Sequence, residues 1–203
     1  MRIPWNPANI LSFGRLLATL PLILLILRST HLSLFISALL FVVMAVTDTV
    51  DGRLARRYGW VSNLGIFLDL TADKVYTSAA LIGMVAIGLL PSWIAIVIIT
   101  REFIVAGLRS FAAAEGTVIP SDRWGKHKML LTIIAIVWML LWGSAGLAPG
   151  THLTPFPAFD TYLILRLIAF LLPLGFWIMI AAVLLTVFSG YDYLRKAAGL
   201  FTA

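Results

Sequence analysis

Four of the nine acidic residues in the chain, Asp48, Asp51, Asp69 and Asp73, fall within 26 consecutive positions. Asp48 and Asp51 are spaced i,i+3 and Asp69 and Asp73 i,i+4, so each pair shares one face if its segment is helical. Both segments are otherwise strongly apolar. One Asp at mid-bilayer costs roughly 2.5–3.5 kcal/mol on insertion scales, and four close together also repel one another. A hard divalent cation with oxygen ligands removes both penalties, and Mg²⁺ suits a site open to phosphate. Any one of these residues is as readily explained by facing water or pairing with Arg53, Arg56 or Arg57; all four at these spacings are not. Gly52 and Ala55 follow Asp48 on its stripe, and Gly65 lies four residues before Asp69. Small residues there let a ligand approach the backbone, or let two helices pack closely; the spacing alone leaves both open. Arg56 is placed to reach an anionic group beside the metal, or is a plain surface charge.

A second group is basic. Arg101 and Arg109 lie eight residues apart on one broad helical face, and Lys126 and Lys128 follow Gly125. Cations in apolar spans are costly unless they meet an anion. Beside a carboxylate–metal centre, they point to a phosphate on a second substrate. The competing readings are an ion pair of Arg101 with Glu102 or Glu115, and topology signals for Lys126 and Lys128.

These residues sit in a chain of 203 residues that is 61% hydrophobic and only 12% charged. A soluble domain carries about a quarter charged residues, so this composition excludes an ordinary soluble domain and, more firmly, a disordered one. It predicts one all-α integral membrane domain over 1–203, a bundle of six transmembrane helices at approximately Asn9–Leu27, Leu32–Ala55, Asn63–Leu89, Ser92–Ala114, Lys126–Leu147 and Thr161–Phe188. Leu90 and Pro91 make a tight turn between the third and fourth spans. The short link between the second and third makes them antiparallel neighbours, so that the four carboxylates converge across one groove. With six spans, every Lys and Arg except Arg28 and Arg166 falls on the side of the two termini, which places both termini, and the acidic centre, in the cytoplasm. The formal charge of +6 is read as topology and affinity for phosphate and anionic lipid, not for nucleic acid. There is no cysteine, so disulfides and thiolate chemistry are excluded.

The run Asp48-Thr-Val-Asp51-Gly52-Arg-Leu-Ala55-Arg56, then eight residues, then Gly65-Ile-Phe-Leu-Asp69-Leu-Thr-Ala-Asp73 resembles the CDP-alcohol phosphotransferase signature D-x2-D-G-x2-A-R-x8-G-x3-D-x3-D at every fixed position. The resemblance implies displacement of CMP from a CDP-linked lipid by an alcohol, with two divalent cations, Mg²⁺ or Mn²⁺, held by the four Asp residues. It implies Asp48, Asp51, Asp69 and Asp73 as metal ligands, Asp73 also as the base for the attacking hydroxyl, and Gly52, Ala55, Arg56 and Gly65 as contacts to the CDP moiety. Arg101-Glu-Phe, Gly107-Leu-Arg109, Gly125-Lys126 and Ala72-Asp73-Lys74-Val75 resemble the phosphatidylglycerophosphate synthase branch. That branch implies CDP-diacylglycerol as donor and sn-glycerol 3-phosphate as acceptor, its phosphate held by Arg109 and Lys126, with Arg101 and Lys128 beside them. It further implies an inner-membrane enzyme and a homodimer. Leu70 stands where the branch often has Pro.

Three rivals remain at this level. The same chemistry with inositol phosphate would use the same basic residues. An intramembrane prenyltransferase also uses Asp-bound Mg²⁺, but Gly52-x2-Ala55-Arg56 between the acidic pairs argues against it. A cation channel is disfavoured because the carboxylates cluster at one membrane face instead of lining a path. His31, His127 and His152 have no spacing partner and are read as loop or interface residues. Trp138 and Trp142, spaced i,i+4, are read as a lipid- or helix-contact stripe.

Overall fold

The computed structural model describes residues 7–58, 63–116, 123–148, 153 and 170–197, excepting the side chains of 8, 51–56, 63 and 123–126. The described residues form six helices and no strand: α1 Pro7–Arg28, α2 His31–Tyr58, α3 Asn63–Ala86, α4 Ser92–Ala114, α5 Arg123–Ser144 and α6 Leu174–Ala197. Five begin and end within three residues of the expected spans. The sixth differs. The expected span began at Thr161, but Leu172 and Pro173 form a turn and α6 starts after it. Proline has no amide proton to donate into a preceding turn, so a helix restarts there more easily than it continues through. The expected stretch 161–169 lies outside the described residues, as do 1–6 and most of the linker 148–160.

Local chemistry explains the ends. Ser29 turns the chain with φ of 46°, and Thr30 and Ser33 then cap α2 reciprocally: each backbone N–H donates to the other's hydroxyl, at 2.9 and 3.2 Å. Gly88, with φ of 76°, ends α3, and the amide of Leu89 donates back to the Met84 carbonyl at 2.9 Å. A left-handed residue at this point favours glycine. Pro91 then precedes α4 in extended conformation.

α1, α2, α5 and α6 contain stretches long and apolar enough to cross a membrane. α3 and α4 have comparable lengths of 24 and 23 residues. Each carries three charges near its middle: Asp69, Asp73 and Lys74 on α3, and Arg101, Glu102 and Arg109 on α4. Large apolar side chains face outward on these helices, among them Leu20 and Leu24 of α1, Ile96 of α4 and Leu184 of α6. An outward apolar surface suits hydrocarbon as the surrounding solvent.

The packed pairs close a ring in the order α1, α3, α4, α6, α5, α2, with α3 also touching α5 across it. This corrects the expected pairing of α2 with α3. α1 lies alongside both, while α2 and α3 meet mainly through side chains such as Phe41 and Tyr76, whose ring centroids are 5.2 Å apart. The reason is polar: Arg15, in a buried stripe on α1 with Asn9, Ser12 and Thr19, needs charged partners, which Asp48 of α2 and Asp69 of α3 provide. One continuous core, including Leu22, Phe41, Tyr76, Met84, Ile136 and Met139, fills the ring. At the end remote from the carboxylates, His31 Nδ1 donates to the Ser144 carbonyl at 2.6 Å and ties α2 to α5. Trp138 and Trp142 are helix contacts: Trp142 is buried, and Trp138 Nε1 donates to the Leu171 carbonyl at 3.3 Å.

That hydrogen bond fixes the Trp138 ring against Gly175, where an added Cβ would lie 2.7 Å from Trp138 Cδ1. Gly175→Ala is therefore expected to destabilise the protein by about 1–3 kcal/mol. Gly14→Ala, whose Cβ would meet nothing within 4 Å, is expected to be tolerated. Thermal unfolding of both variants in detergent micelles checks the contrast.

Candidate active site

The described charged side chains inside the helix ring form two groups. The first joins α1, α2 and α3. Arg15 Nη1 donates to Asp48 Oδ1 and lies 3.7 Å from Asp69 Oδ1. The arginine side chain is 1% exposed, against 14% for Asp48 and 46% for Asp69. The oxygen of Asp69 that faces the arginine is itself buried and accepts no hydrogen bond. Asp73 lies one turn further along α3, its Oδ2 4.0 Å from Lys74 Nζ. α3 is unbroken from Asn63 to Ala86, so Leu70 in place of proline leaves a regular helix that keeps Asp69 and Asp73 on one face.

The second group joins α4, α5 and α6. Lys128 Nζ donates to Glu102 Oε1, which also accepts from Arg101 Nη1 at 3.2 Å. Arg101 Nη2 donates to Ser189 Oγ of α6 at 2.7 Å. Gly190 leaves room for the arginine stem, since a Cβ there would lie 3.1 Å from Arg101 Cγ. Arg109 sits two helical turns away from Arg101, about 12 Å along the axis, with its guanidinium carbon 5.9 Å from the Tyr193 ring centroid. The two groups meet at a narrow cleft of about 30 Å³, whose polar lining is Asp73, Lys74, Glu102 and Lys128 with the hydroxyls of Thr77, Ser78 and Thr132. Leu81, Ile98 and Ile133 make its apolar wall.

Of the residues expected from sequence, the structure places Asp48 and Asp69 around one cation, Asp73 at the cleft, and Arg101 with Lys128 on a shared carboxylate. Arg109 stands apart from that pair. Gly65 lies on α3 four residues before Asp69. Asp51, Gly52, Ala55 and Arg56 continue α2 on the acidic side, and Lys126 lies in the first turn of α5, but their side chains lie outside the described residues. Two further residues of the site are weakly marked in the sequence. Arg15 reads there as a topology charge, although its i,i+3 spacing from Ser12 within an apolar span is a signal. Glu102 reads as a partner of Arg101; its second partner, Lys128, is 26 residues away.

The donors suit a hard divalent ion. Carboxylates from two helices aim at a single cationic point, and one of their oxygens is buried without a hydrogen bond. Among the described residues no three acidic or histidine side chains are grouped closely enough to hold a metal; the side chain of Asp51, the fourth expected ligand, lies outside them. The Lys128–Glu102 pair is mostly buried, with side chains 6% and 23% exposed, so removing one partner strands the other. Glu102→Ala is expected to destabilise the protein by about 3–5 kcal/mol, and joining Lys128→Met to Glu102→Leu should recover much of that loss, as read by thermal unfolding.

Comparison with known proteins places the chain in a family. An enzyme of Bacillus subtilis (strain 168) named CDP-diacylglycerol–glycerol-3-phosphate 3-phosphatidyltransferase is 41% identical over 160 residues, covering 78% of this chain and 72% of its own. A probable phosphatidylglycerophosphate synthase of Mycobacterium tuberculosis (strain ATCC 25618 / H37Rv) is 35% identical over 95% of this chain and 81% of its own. A Rickettsia prowazekii (strain Madrid E) protein with the same name as the Bacillus enzyme is 30% identical over 99% of this chain and 100% of its own. The sequence profile of CDP-alcohol phosphatidyltransferases matches residues 5–188, a stretch that includes all six described helices in whole or large part, and the chain belongs to that family.

Proposed function

We propose that this chain transfers the phosphatidyl group of CDP-diacylglycerol to sn-glycerol 3-phosphate, giving phosphatidylglycerophosphate and CMP. The observation that carries this reading is the cleft where Asp73 of α3 meets Lys128 and Glu102, in a chain similar throughout to proteins named for that reaction. Asp48, Asp51, Asp69 and Asp73 would hold divalent metal ions, which the family generally uses; two ions, Mg²⁺ or Mn²⁺, suit four carboxylates. When bound, such ions neutralise the diphosphate and stabilise the entering and leaving oxygens.

The residues of the chain account for the remaining work. Asp73 is the base that takes the proton from the acceptor hydroxyl. The hydroxyl oxygen forms a bond to the phosphorus that carries the diacylglycerol, the bond from that phosphorus to the CMP oxygen breaks, and CMP leaves with the electron pair. Gly52, Ala55, Arg56 and Gly65 receive the CDP moiety. Lys128 lines the cleft with Asp73, and Arg101 reaches the same Glu102; both would hold the acceptor phosphate, exchanging Glu102 as partner, with Lys126 and Arg109 extending the basic surface toward the helix ends. The acyl chains lie against the apolar outer faces. The six helices span the inner membrane with both termini and the cleft on the cytoplasmic side, in keeping with the distribution of Lys and Arg. A homodimer is part of the same reading.

Release of CMP from CDP-diacylglycerol by the purified protein is the direct test. Turnover should require glycerol 3-phosphate and stop on chelation of divalent cations. Robust turnover with inositol phosphate and none with glycerol 3-phosphate would replace the acceptor while keeping the chemistry. Asp73→Asn should lower turnover by at least about 10³-fold, within the range for loss of a general base, with the unfolding temperature unchanged; normal turnover in that variant refutes the base assignment.

A further inference from the structure

No step of the proposed reaction uses Arg15, yet it is among the most buried charges described, at the centre of a polar stripe on an otherwise apolar helix. Its guanidinium serves two carboxylates that come from different helices. Toward Asp48 it makes a hydrogen bond; toward Asp69 it stands at 3.7 Å, and the oxygen it faces accepts no hydrogen bond at all. A purely structural pin would match one cation to one anion. Here a single positive charge faces two carboxylates, and Asp51 and Asp73 follow on the same helices one turn away. Among the described side chains, the one guanidinium is thus shared between the two carboxylates of Asp48 and Asp69.

We infer that Arg15 is an internal counter-ion of the acidic centre: its guanidinium holds Asp48 and Asp69 together, and a divalent cation that binds them displaces it. This rests on reading Asp48 and Asp69 as metal ligands. Arginine stays protonated at every accessible pH, so it cannot yield by losing its charge. A Mg²⁺ ion coordinates carboxylate oxygens at about 2.0–2.1 Å, and a positive group held against those same oxygens repels it. The guanidinium has to swing away on its three-carbon stem. The main chain at Arg15 is held within α1, where Thr19 Oγ1 donates to the Arg15 backbone carbonyl at 3.2 Å, so the movement belongs to the side chain and not to the helix. Arg15 is thus a positioning residue that sets the charge of the centre and the affinity of its ions.

The test uses the purified full-length protein in detergent, stripped of metal, with no lipid substrate. Mn²⁺ binding is followed by loss of the free-ion electron paramagnetic resonance signal, and the unfolding midpoint is measured in chelator and in saturating Mn²⁺. Arg15→Gln is expected to tighten Mn²⁺ binding by about tenfold, a common size for coupling between two binding events. The same variant should unfold at lower temperature in chelator and recover its midpoint when Mn²⁺ is added. Arg15→Lys, which keeps the charge and loses the fork, should fall between the two and decides the question if the glutamine variant does not fold. Unchanged or weaker Mn²⁺ binding in the variants, or an equal loss of midpoint in both media, overturns the inference while leaving the metal centre in place. Failure of the unsubstituted protein to bind Mn²⁺ overturns the metal centre and the inference together.

Discussion

Every ionised group inside this ring of apolar helices has to be neutralised by another, and that requirement shapes the packing. A bilayer offers no water to an isolated charge and no bulk dielectric to weaken its field. The charges of α1, α2 and α3 are resolved at Arg15, which faces Asp48 and Asp69. Those of α4 and α5 are resolved at Glu102, which accepts from both Arg101 and Lys128, with Ser189 of α6 taking a further donor. Helices that would otherwise present interchangeable greasy surfaces to one another acquire a fixed rotation and neighbour from these contacts. Apolar packing alone does not impose that choice, because lipid tails satisfy a leucine as well as another helix does.

The same constraint links structure to chemistry. A protein that binds a diphosphate, divalent cations and a second phosphate must carry strong charges of both signs, and must keep them matched when the ligands leave. Internal ion pairs keep these charges matched: Glu102 faces Arg101 and Lys128, and Arg15 faces Asp48 and Asp69. Asp73 lies where the two sets meet, in the cleft with Lys74 and Lys128. The end of the ring remote from the carboxylates is closed by apolar side chains and the His31–Ser144 contact.

Much of this was legible along the chain. The helix boundaries of α1 to α5 followed from apolar runs, glycines and prolines, and the carboxylate spacing carried the family signature because each i,i+3 or i,i+4 pair lies within one helix. The turn at Pro173 was readable in principle, though the apolar run around it masked it. The partners of Arg15 and Glu102 were not readable. Arg15 is 33 residues from Asp48, and Glu102 is 26 from Lys128; no periodicity spans such separations.

Composition and local spacing thus determined that the chain is helical, membrane-embedded and built around a carboxylate centre. Only the tertiary structure decided that α1 lies between the two acidic helices and that a buried guanidinium joins them. The physical reason is that hydrophobic periodicity states which face of a helix is buried, not against which neighbour. That choice is made by the energy of pairing charges across helices, which exists only once the helices are assembled.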